Sequence, residues 1–378
     1  MKRYLDALVL NDLSKKAVIL TGPRQVGKTT LSQQLMEKFT HAQYLNWDVP
    51  ADRKILQRQT WNPKAGLLVV DEIHKMRNWK SWLKGVIDGR SPEQALLVVT
   101  GSARMDTFRQ SGESLAGRYF SCRLHPISVK EWCEQEGVGA SQALDHLLER
   151  GGFPEPCLAK SATEADRWRA QYFTDLIRED VLEFSRLHEI NVMRLFINVL
   201  RDRVGSPLSL ASIARDLGVS PATLKTYLEI LKALFIVFTI HPWYRNVGRA
   251  MLQMPKIYFF DTGLVRGDQG VRLENAVAGM LLKQRDFLRD SHGVDAGLHY
   301  IRTKDGAEVD FALSEGESIT QLIECKLSDE TPHKALTRFA AQFSQAQAVQ
   351  IVGNLRQEEL VQGIQVTDAA RWLAQLEV

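Results

Sequence analysis

The sequence has little of what marks several classes of protein. It contains only four cysteines, and these are scattered, so it lacks the spacing of a metal site or of a disulfide framework. Its longest apolar run, residues 233–240, is far too short to cross a bilayer. It has no internal repeat, low-complexity tract or long flexible linker. These absences exclude disulfide-rich, repeat and helical membrane proteins.

The composition is that of an ordinary globular protein. The 378 residues are 44% hydrophobic and 25% charged, and this length predicts two or three domains. A formal net charge of +3 permits contact with nucleic acid through local patches but does not require it. Met1, Lys2 and Arg3 look like the start of a secretory signal, but polar and charged residues replace its apolar core. We therefore expect a cytoplasmic protein with reduced thiols and no membrane partner.

A glycine-rich loop near the N-terminus is the most informative motif. It follows an apolar run at residues 17–20 and precedes Leu31, Leu35 and Phe39, which recur at helical spacing. Strand, glycine loop and helix in this order are the context in which G-x-x-x-x-G-K-[ST] binds phosphate; a surface glycine turn is the alternative. The residues predicted to surround the phosphates are Gly22, Pro23, Arg24, Gln25, Val26, Gly27, Lys28, Thr29 and Thr30.

Two residues of this loop have specific predicted roles. Lys28 is expected to reach the β- and γ-phosphates, and Thr29 to be a ligand of Mg²⁺. The loop therefore predicts a protein that binds a nucleoside triphosphate together with Mg²⁺.

An acidic pair, Asp71 and Glu72, follows the apolar run at residues 67–70. Carboxylates at the C-terminal end of a parallel strand face the ligand crevice of an α/β sheet. Asp71 is predicted to hold Mg²⁺ through water, and Glu72 to deprotonate the attacking water as a general base. The alternative is an acidic strand end that caps the next helix.

Three further residues are candidates for contact with the transferring phosphate. Ser102 follows the apolar run at 96–99, where it could bond to the γ-phosphate or the lytic water, or serve only in a strand-to-turn connection. Arg118 could stabilise charge on the phosphoryl group within one chain or across a subunit interface of a homo-oligomer, or form a surface ion pair. Arg24 is another cationic candidate.

These segments together resemble the AAA+ and related signal-transduction ATPases, and more narrowly the bacterial and archaeal ATPases with a C-terminal domain of unknown function 4143. The resemblance covers nearly the whole chain and implies ATP, not GTP, and its hydrolysis. His74 and Cys325 depart from the glutamine and valine that are usual in that family. Besides the glycine loop, the resemblance rests on the segments at residues 70–75, 100–103, 115–118, 125–128, 151–155 (Gly-Gly-Phe-Pro-Glu) and 256–264 (Lys-Ile-Tyr-Phe-Phe-Asp-Thr-Gly-Leu).

The middle of the chain contains a helix-turn-helix candidate. Helical patterns at 210–217 and 221–231 flank Gly218, and Ser220 is a suitable N-cap. The spacing is typical of a DNA-reading helix-turn-helix or a winged helix. Because the second helix exposes few basic residues, a module used for packing is the alternative. The basic-aromatic stretch at 243–249 is either a wing or a cover for the core.

The C-terminal part predicts the element order of restriction-endonuclease-like folds. That order is a helix, three strands, a helix and a strand, predicted at residues 273–290, 298–302, 307–313, 319–326, 332–343 and 348–352.

Polar residues of this part fall where nuclease chemistry needs them. Glu308 and Asp310 share one face of a strand, and Glu324 and Lys326 share a face of the next. Asp310 and Glu324 are predicted to hold Mg²⁺, and Lys326 to position or activate water beside a scissile phosphate. The pattern resembles the PD-(D/E)xK nucleases, and Glu274 matches the helix glutamate of their Holliday-junction-resolvase-like members. An inactive nuclease fold used for partner binding is the alternative.

The sequence thus predicts an α/β protein in four parts. They are a P-loop NTPase parallel-sheet domain at residues 1–125, a helical extension at 126–205, a winged-helix-like module at 206–250 and a restriction-endonuclease-like α/β domain at 251–378. The predicted function is ATP hydrolysis that couples nucleotide state to DNA binding or processing. The alternative is a nucleotide-gated regulatory switch or scaffold.

Overall fold

The computed structural model describes residues 1–89, 96–101, 115–176, 190–244 and 254–378. The chain divides into two compact units, Met1–His125 and Pro126–Val378. Ser102 and residues 245–249 of the candidate wing lie outside the described residues.

The first unit contains a five-stranded sheet in the order β2-β3-β4-β1-β5, in which all neighbouring strands are parallel. Its strands are β1 (Ala17–Thr21), β2 (Ala42–Asn46), β3 (Leu67–Asp71), β4 (Leu96–Thr100) and β5 (Tyr119–Arg123). Its described helices are α1 (Asp6–Leu13), α2 (Lys28–Met36), α3 (Pro50–Arg58) and α4 (Trp79–Asp88), with a 3₁₀ turn at Ile73–Lys75.

The predicted parallel α/β sheet is confirmed. Its inner strands β1, β3 and β4 are almost entirely buried, which explains their continuous apolar runs. The outer strands β2 and β5 mix polar with apolar residues and are mostly half-buried, so their sequences carry no strand signal of that kind. One detail differs from expectation: α2 ends at Met36, so Phe39 lies beyond the helix.

The strand order decides which loops meet. Strand β4 lies between β1 and β3, and the register pairs Leu20 with Thr100 and Val70 with Val99. Because the strands are parallel, their carboxyl ends lie at the same edge of the sheet. The loop after β1, Asp71 at the end of β3 and Thr100 at the end of β4 therefore come together.

The second unit contains an eight-stranded mixed sheet in the order β12-β13-β11-β10-β9-β8-β6-β7. Its strands are β6 (Val237–Pro242), β7 (Lys256–Phe259), β8 (Ala296–Arg302), β9 (Glu308–Glu315), β10 (Ser318–Lys326), β11 (Gln347–Val352), β12 (Glu359–Val361) and β13 (Ile364–Asp368). Its described α-helices are α5 (Val129–Glu136), α6 (Ala140–Arg150), α7 (Pro154–Cys157), α8 (Ala162–Leu176), α9 (Ile190–Arg201), α10 (Leu210–Leu217), α11 (Pro221–Ala233), α12 (Gln269–Phe287), α13 (Lys334–Gln342) and α14 (Ala369–Ala374).

The elements expected in the C-terminal part are all present. They are α12, β8, β9, β10, α13 and β11; β8, β9 and β10 are antiparallel neighbours, and β10 pairs with β11 in parallel. Helix α12 begins at Gln269 rather than at 273, because Asp268 caps it. The final elements β12, β13 and α14 were not expected. That this sheet is a restriction-endonuclease-like fold stays a prediction.

The two helices of the helix-turn-helix candidate lie where the sequence places them. Ser220 accepts a hydrogen bond from the Thr223 amide, and Gly218 ends α10 with a φ of 67°. Strands β6 and β7, which stand on either side of the predicted boundary at residue 250, pair with each other. Trp243 packs edge-on against Phe343 and so covers the core of the second unit. The winged-helix assignment and DNA reading stay predictions.

The glycine motifs at residues 151–155 and 256–264 close around one buried ion pair. Arg169 Nε donates to Asp261 Oδ2 over 2.8 Å, and its Nη2 donates to the carbonyl oxygen of Arg150 over 2.6 Å. A Cβ at Gly151 would overlap the Asp261 carboxylate, and a Cβ at Gly263 would overlap the Arg169 guanidinium. Glycine is therefore needed at both positions to admit the ion pair.

We expect Gly263→Ala to destabilise the second unit by about 3 kcal/mol, because displacing Arg169 leaves the Asp261 carboxylate buried without its partner. Gly279→Ala in α12 is the matched control, since a Cβ there meets nothing within 4 Å. Alanine at that helical position should stabilise the protein by about 0.5–1 kcal/mol. Urea unfolding followed by circular dichroism compares the two variants. Equal unfolding midpoints would contradict the role of Gly263.

Candidate functional site

The loop after β1 adopts a conformation that requires glycine at two positions. Gly22 has a φ of 144°, and a Cβ there would overlap the carbonyl oxygen of Leu124. Gly27 has a φ of 100° and precedes the first turn of α2. The buried Arg3 supports the loop by donating to the carbonyl oxygen of Val26 over 2.9 Å. The loop is thus built by backbone shape, as a phosphate-binding loop requires.

Lys28 lies buried inside this loop. Its Nζ donates to the carbonyl oxygens of Gly22 over 2.9 Å and of Pro23 over 2.6 Å. Burial lowers the pKa of Lys28 to about 8, and the charge of Arg24 acts in the same direction, while Glu72 and Asp71 oppose it. Because its two loop partners are neutral carbonyls, the ammonium group keeps its charge for an anionic ligand.

Asp71 receives four hydrogen bonds from groups on different elements. The Thr29 hydroxyl donates to its Oδ2 over 2.9 Å, and the Tyr44 hydroxyl donates to the same oxygen over 2.5 Å. The Thr100 hydroxyl and the Glu72 amide donate to Oδ1, the latter over 2.9 Å. Burial and the bond to Asp71 raise the pKa of Tyr44, which keeps this phenol protonated as a donor. All four of these donors are neutral groups, so they hold the Asp71 carboxylate in place without cancelling its charge.

Glu72 stands at the sharp turn after β3. Its φ of 57° is left-handed, which is uncommon for a residue other than glycine. Its Oε2 lies 3.3 Å from Lys75 Nζ and 3.6 Å from His74 Nε2. Although Glu72 precedes the 3₁₀ turn, its side chain makes no capping hydrogen bond. The Glu72 side chain therefore does not cap the helical turn that follows, which was the alternative role considered from the sequence.

The remaining candidates of the first unit are placed differently. Arg118 forms a two-pronged ion pair with Asp88 at the end of α4, over 2.7 and 3.0 Å, which is the surface ion pair considered from the sequence. Ser102 lies outside the described residues. Sequence reasoning missed Thr100, although it ends β4 just as Asp71 ends β3, and that position was the available signal.

The carboxylates predicted in the second unit converge around a residue that sequence reasoning missed. Lys256, the first residue of β7, is 1% exposed. Its Nζ lies 2.7 Å from Glu308 Oε1, 3.3 Å from Asp310 Oδ1 and 3.5 Å from Glu274 Oε1. The available signal was a lone lysine at the start of an apolar strand.

The other predicted residues complete this group. Lys326 Nζ donates to Glu324 Oε1 over 2.6 Å, and His333 Nδ1 lies 3.1 Å from the same oxygen. The backbone amide of Asp310 donates to Glu324 Oε2 over 3.3 Å. The amide of Cys325 donates to the Asp310 carboxylate over 3.1 Å, which joins the two strands. We call Glu274, Glu308, Asp310 and Glu324 the carboxylate cluster.

Burial and the repulsion between neighbouring carboxylates shift the pKa of two members of the carboxylate cluster, Glu274 and Glu324. Burial, together with the charge of Asp310, raises the pKa of Glu274 and of Glu324 to about 7 each; Lys256 opposes this at Glu274 and Lys326 at Glu324. Burial lowers the pKa of Lys256, but the surrounding carboxylates outweigh it and raise the pKa above its ordinary value.

Among the described residues, no group of three or more histidine, cysteine, aspartate or glutamate side chains is arranged to hold a metal ion. The Mg²⁺ site predicted at Asp310 and Glu324 stays a prediction.

The pKa of Glu274 is higher in the folded protein than the ordinary 4.5, so the folded state binds an additional proton between those two values. This stabilisation is complete below the unfolded pKa and is lost as the pH rises through about 7. The free energy of unfolding of wild type should fall as the pH rises from about 5 to about 8. In Glu274→Gln we expect this fall to be smaller by about 2 kcal/mol. Urea titrations at both pH values measure it. Glu229→Gln, at an exposed position of α11, should leave the pH dependence unchanged, and an equal change in both variants would contradict the assignment.

Three family models match successive parts of the chain. Residues 14–133 match the model of an AAA domain, and residues 269–372 match the domain of unknown function 4143. The first match covers the parallel sheet and the glycine loop of the first unit, and the second covers the carboxylate cluster. Between them, residues 141–272 match the domain of unknown function 8612, which contains both glycine motifs that close around Arg169.

Relatives of this chain include an uncharacterized protein of Mycobacterium tuberculosis, 31% identical over 305 residues. That match covers 78% of this chain and 66% of the relative, so the chain spans just under two thirds of the relative's length. An uncharacterized protein of Haemophilus influenzae is 22% identical, and the match covers 99% of this chain and 98% of the length of that protein. A Walker-type ATPase of Pyrococcus abyssi is 12% identical, with 68% of this chain and 93% of that chain covered and a TM-score of 0.44.

None of the described helices is long and apolar enough to pass through a membrane.

Proposed function

We propose that this protein binds ATP with Mg²⁺ and hydrolyses it. The observation that carries the proposal is the position of Asp71. Its Oδ2 lies 2.9 Å from the hydroxyl of Thr29, the residue that follows Lys28 in the glycine loop. A lysine for phosphate, a hydroxyl and a carboxylate for Mg²⁺ at one sheet edge are the parts that a P-loop NTPase needs.

The residues of this edge fit the nucleotide and its metal ion. Lys28 would bind the β- and γ-phosphates in place of the loop carbonyls, and the amides of residues 22–30 would surround the phosphate oxygens. Thr29 and Asp71 offer hydroxyl and carboxylate oxygens, which are the ligands that Mg²⁺ prefers. When bound, Mg²⁺ supplies positive charge that neutralises the phosphates.

Glu72 is the proposed general base. Its carboxylate is one residue beyond Asp71 and would accept a proton from the water that attacks the γ-phosphate. In the structure its Oε2 lies close to Lys75 and His74, so we propose that Glu72 turns from this contact when the nucleotide binds. Arg118 is a proposed arginine finger that would exchange Asp88 for the γ-phosphate, in one chain or between subunits of a homo-oligomer.

We expect Lys28→Ala and Glu72→Gln each to lower the ATPase rate at least about 100-fold. Lys28→Ala should also weaken ATP binding, because it removes the charge that contacts the phosphates. Glu72→Gln should bind ATP normally, because it removes only the base. Phosphate release and fluorescent-nucleotide titration measure the two effects.

Lys38→Ala is the matched control for this experiment, since Lys38 is exposed just beyond α2. It should keep both activities. A Lys28→Ala variant that hydrolyses ATP at the normal rate would refute the proposed site.

We propose, as a second candidate function, that the second unit binds or processes DNA in response to the nucleotide. The supporting observation is that Glu274, Asp310, Glu324 and Lys326, from α12, β9 and β10, meet in one place. Carboxylates with a lysine beside them are the groups that metal-dependent phosphodiester cleavage uses. A regulatory switch, in which this unit only recognises a partner, is the alternative.

Cleavage of linear, branched and supercoiled DNA with Mg²⁺, with and without ATP, tests this second candidate. If the unit is a nuclease, Lys326→Ala should lower cleavage at least about 100-fold, because the lysine beside the scissile phosphate is lost. Lys160→Ala, which removes an exposed charge between α7 and α8, should cleave normally. Absence of cleavage on every substrate, with ATP hydrolysis intact, would leave the regulatory alternative.

A further inference from the structure

Lys256 is placed in the middle of the carboxylate cluster and not at its edge. Its Nζ contacts three different carboxylates within 3.5 Å, and its side chain is 1% exposed. The three donors of an ammonium group match three acceptors in number. Lys326, by comparison, contacts Glu324 and is 28% exposed.

The carboxylate cluster, in which Glu324 is buried and the other three side chains are half-buried, needs positive charge close by. Its four carboxylates lie on α12, β9 and β10, and an uncompensated buried carboxylate costs several kcal/mol. The surroundings are tight: the Tyr258 hydroxyl donates to Glu274 over 2.8 Å, and a Cβ at Gly205 would lie 2.7 Å from the same carboxylate. The ring of Tyr300 has its centroid 5.5 Å from Lys256 Nζ, which favours a cation at this point.

A divalent ion would need the same oxygens. Mg²⁺ and Ca²⁺ bind carboxylate oxygens at about 2.0–2.6 Å, closer than the ammonium group does, and so compete with it for the same lone pairs. An ammonium group and a divalent cation among the same carboxylates would also repel each other strongly at low dielectric. The position between Glu274, Glu308 and Asp310 therefore holds one cation or the other.

We propose that the Lys256 ammonium group is the resident cation between Glu274, Glu308 and Asp310 and keeps these three carboxylates closed to divalent metal ions. This inference deepens the second candidate function, because metal-dependent cleavage would require Lys256 to leave the cluster first. With Lys256 in place, the second unit would recognise its partner without a metal ion. Nothing in the inference depends on ATP hydrolysis.

The test measures the melting temperature of the nucleotide-free full chain in EDTA and in MnCl₂. Wild type should melt at the same temperature in both. Lys256→Met should melt lower than wild type in EDTA, because Glu274, Glu308 and Asp310 lose the cation that they share. In MnCl₂ at about 100 times the dissociation constant its melting temperature should rise by about 5 °C or more, because Mn²⁺ takes the position of the ammonium group.

Lys283→Met is the matched control. Lys283 is also 1% exposed and pairs with a buried carboxylate, that of Glu131. The variant should melt lower than wild type, but MnCl₂ should not restore it, because one carboxylate does not form a metal site. A rise equal to that of Lys256→Met would overturn the proposal.

Two further measurements keep the proposal falsifiable if Lys256→Met does not fold. Lys256→Arg retains the cation, so it should fold and show no response to MnCl₂. Calorimetric titration with MnCl₂ should show the same Mn²⁺ binding in nucleotide-free wild type and in nucleotide-free Asp310→Asn, because the proposal gives wild type no Mn²⁺ site at Asp310. Binding by wild type that Asp310→Asn abolishes would overturn the proposal. No arm uses ATP or DNA, so failure here is distinct from failure of the ATPase or of DNA cleavage.

Discussion

A buried carboxylate must have partners that compensate for lost water, and the architecture of this protein depends on how it meets that requirement. Three carboxylate groups show three solutions. Asp71 receives hydroxyl and amide hydrogen bonds, Asp261 receives a guanidinium group, and the carboxylate cluster receives the ammonium group of Lys256. Each solution leaves the carboxylate with a different capacity for chemistry.

The neutral donors around Asp71 orient the carboxylate and leave its negative charge available for a cation. That is what a site for Mg²⁺ and nucleotide needs, and Lys28, held by neutral carbonyls, keeps its charge in a complementary way. The cationic partners of Asp261 and of the carboxylate cluster cancel charge instead. Arg169 thereby joins two glycine motifs into a structural unit, whereas Lys256 offsets part of the negative charge of the carboxylate cluster.

The contrast bears on how the two units could work together. The first unit has a site whose charges are arranged for an anionic ligand, as the proposed nucleotide binding requires. The carboxylate cluster of the second unit is arranged for its own lysine, so partner recognition is compatible with the structure as it stands. The proposed metal-dependent cleavage would first require Lys256 to leave the carboxylate cluster. Under that proposal, this departure is the step that the bound nucleotide would control.

The sequence by itself determined the parallel sheet of the first unit, the glycine loop and the order of helix and strands around the carboxylate cluster. Those features depend on local patterns: continuous apolar runs, a glycine spacing, and alternation along a strand. Only the tertiary structure decided the partners of each charge. Thr100 meets Asp71 because β4 lies next to β3. Lys256 lies on β7, which is not a neighbour of β9 in the sheet, and it nevertheless contacts Glu308 on β9. Contacts of both kinds depend on how distant parts of the chain pack together, which a periodic pattern does not encode.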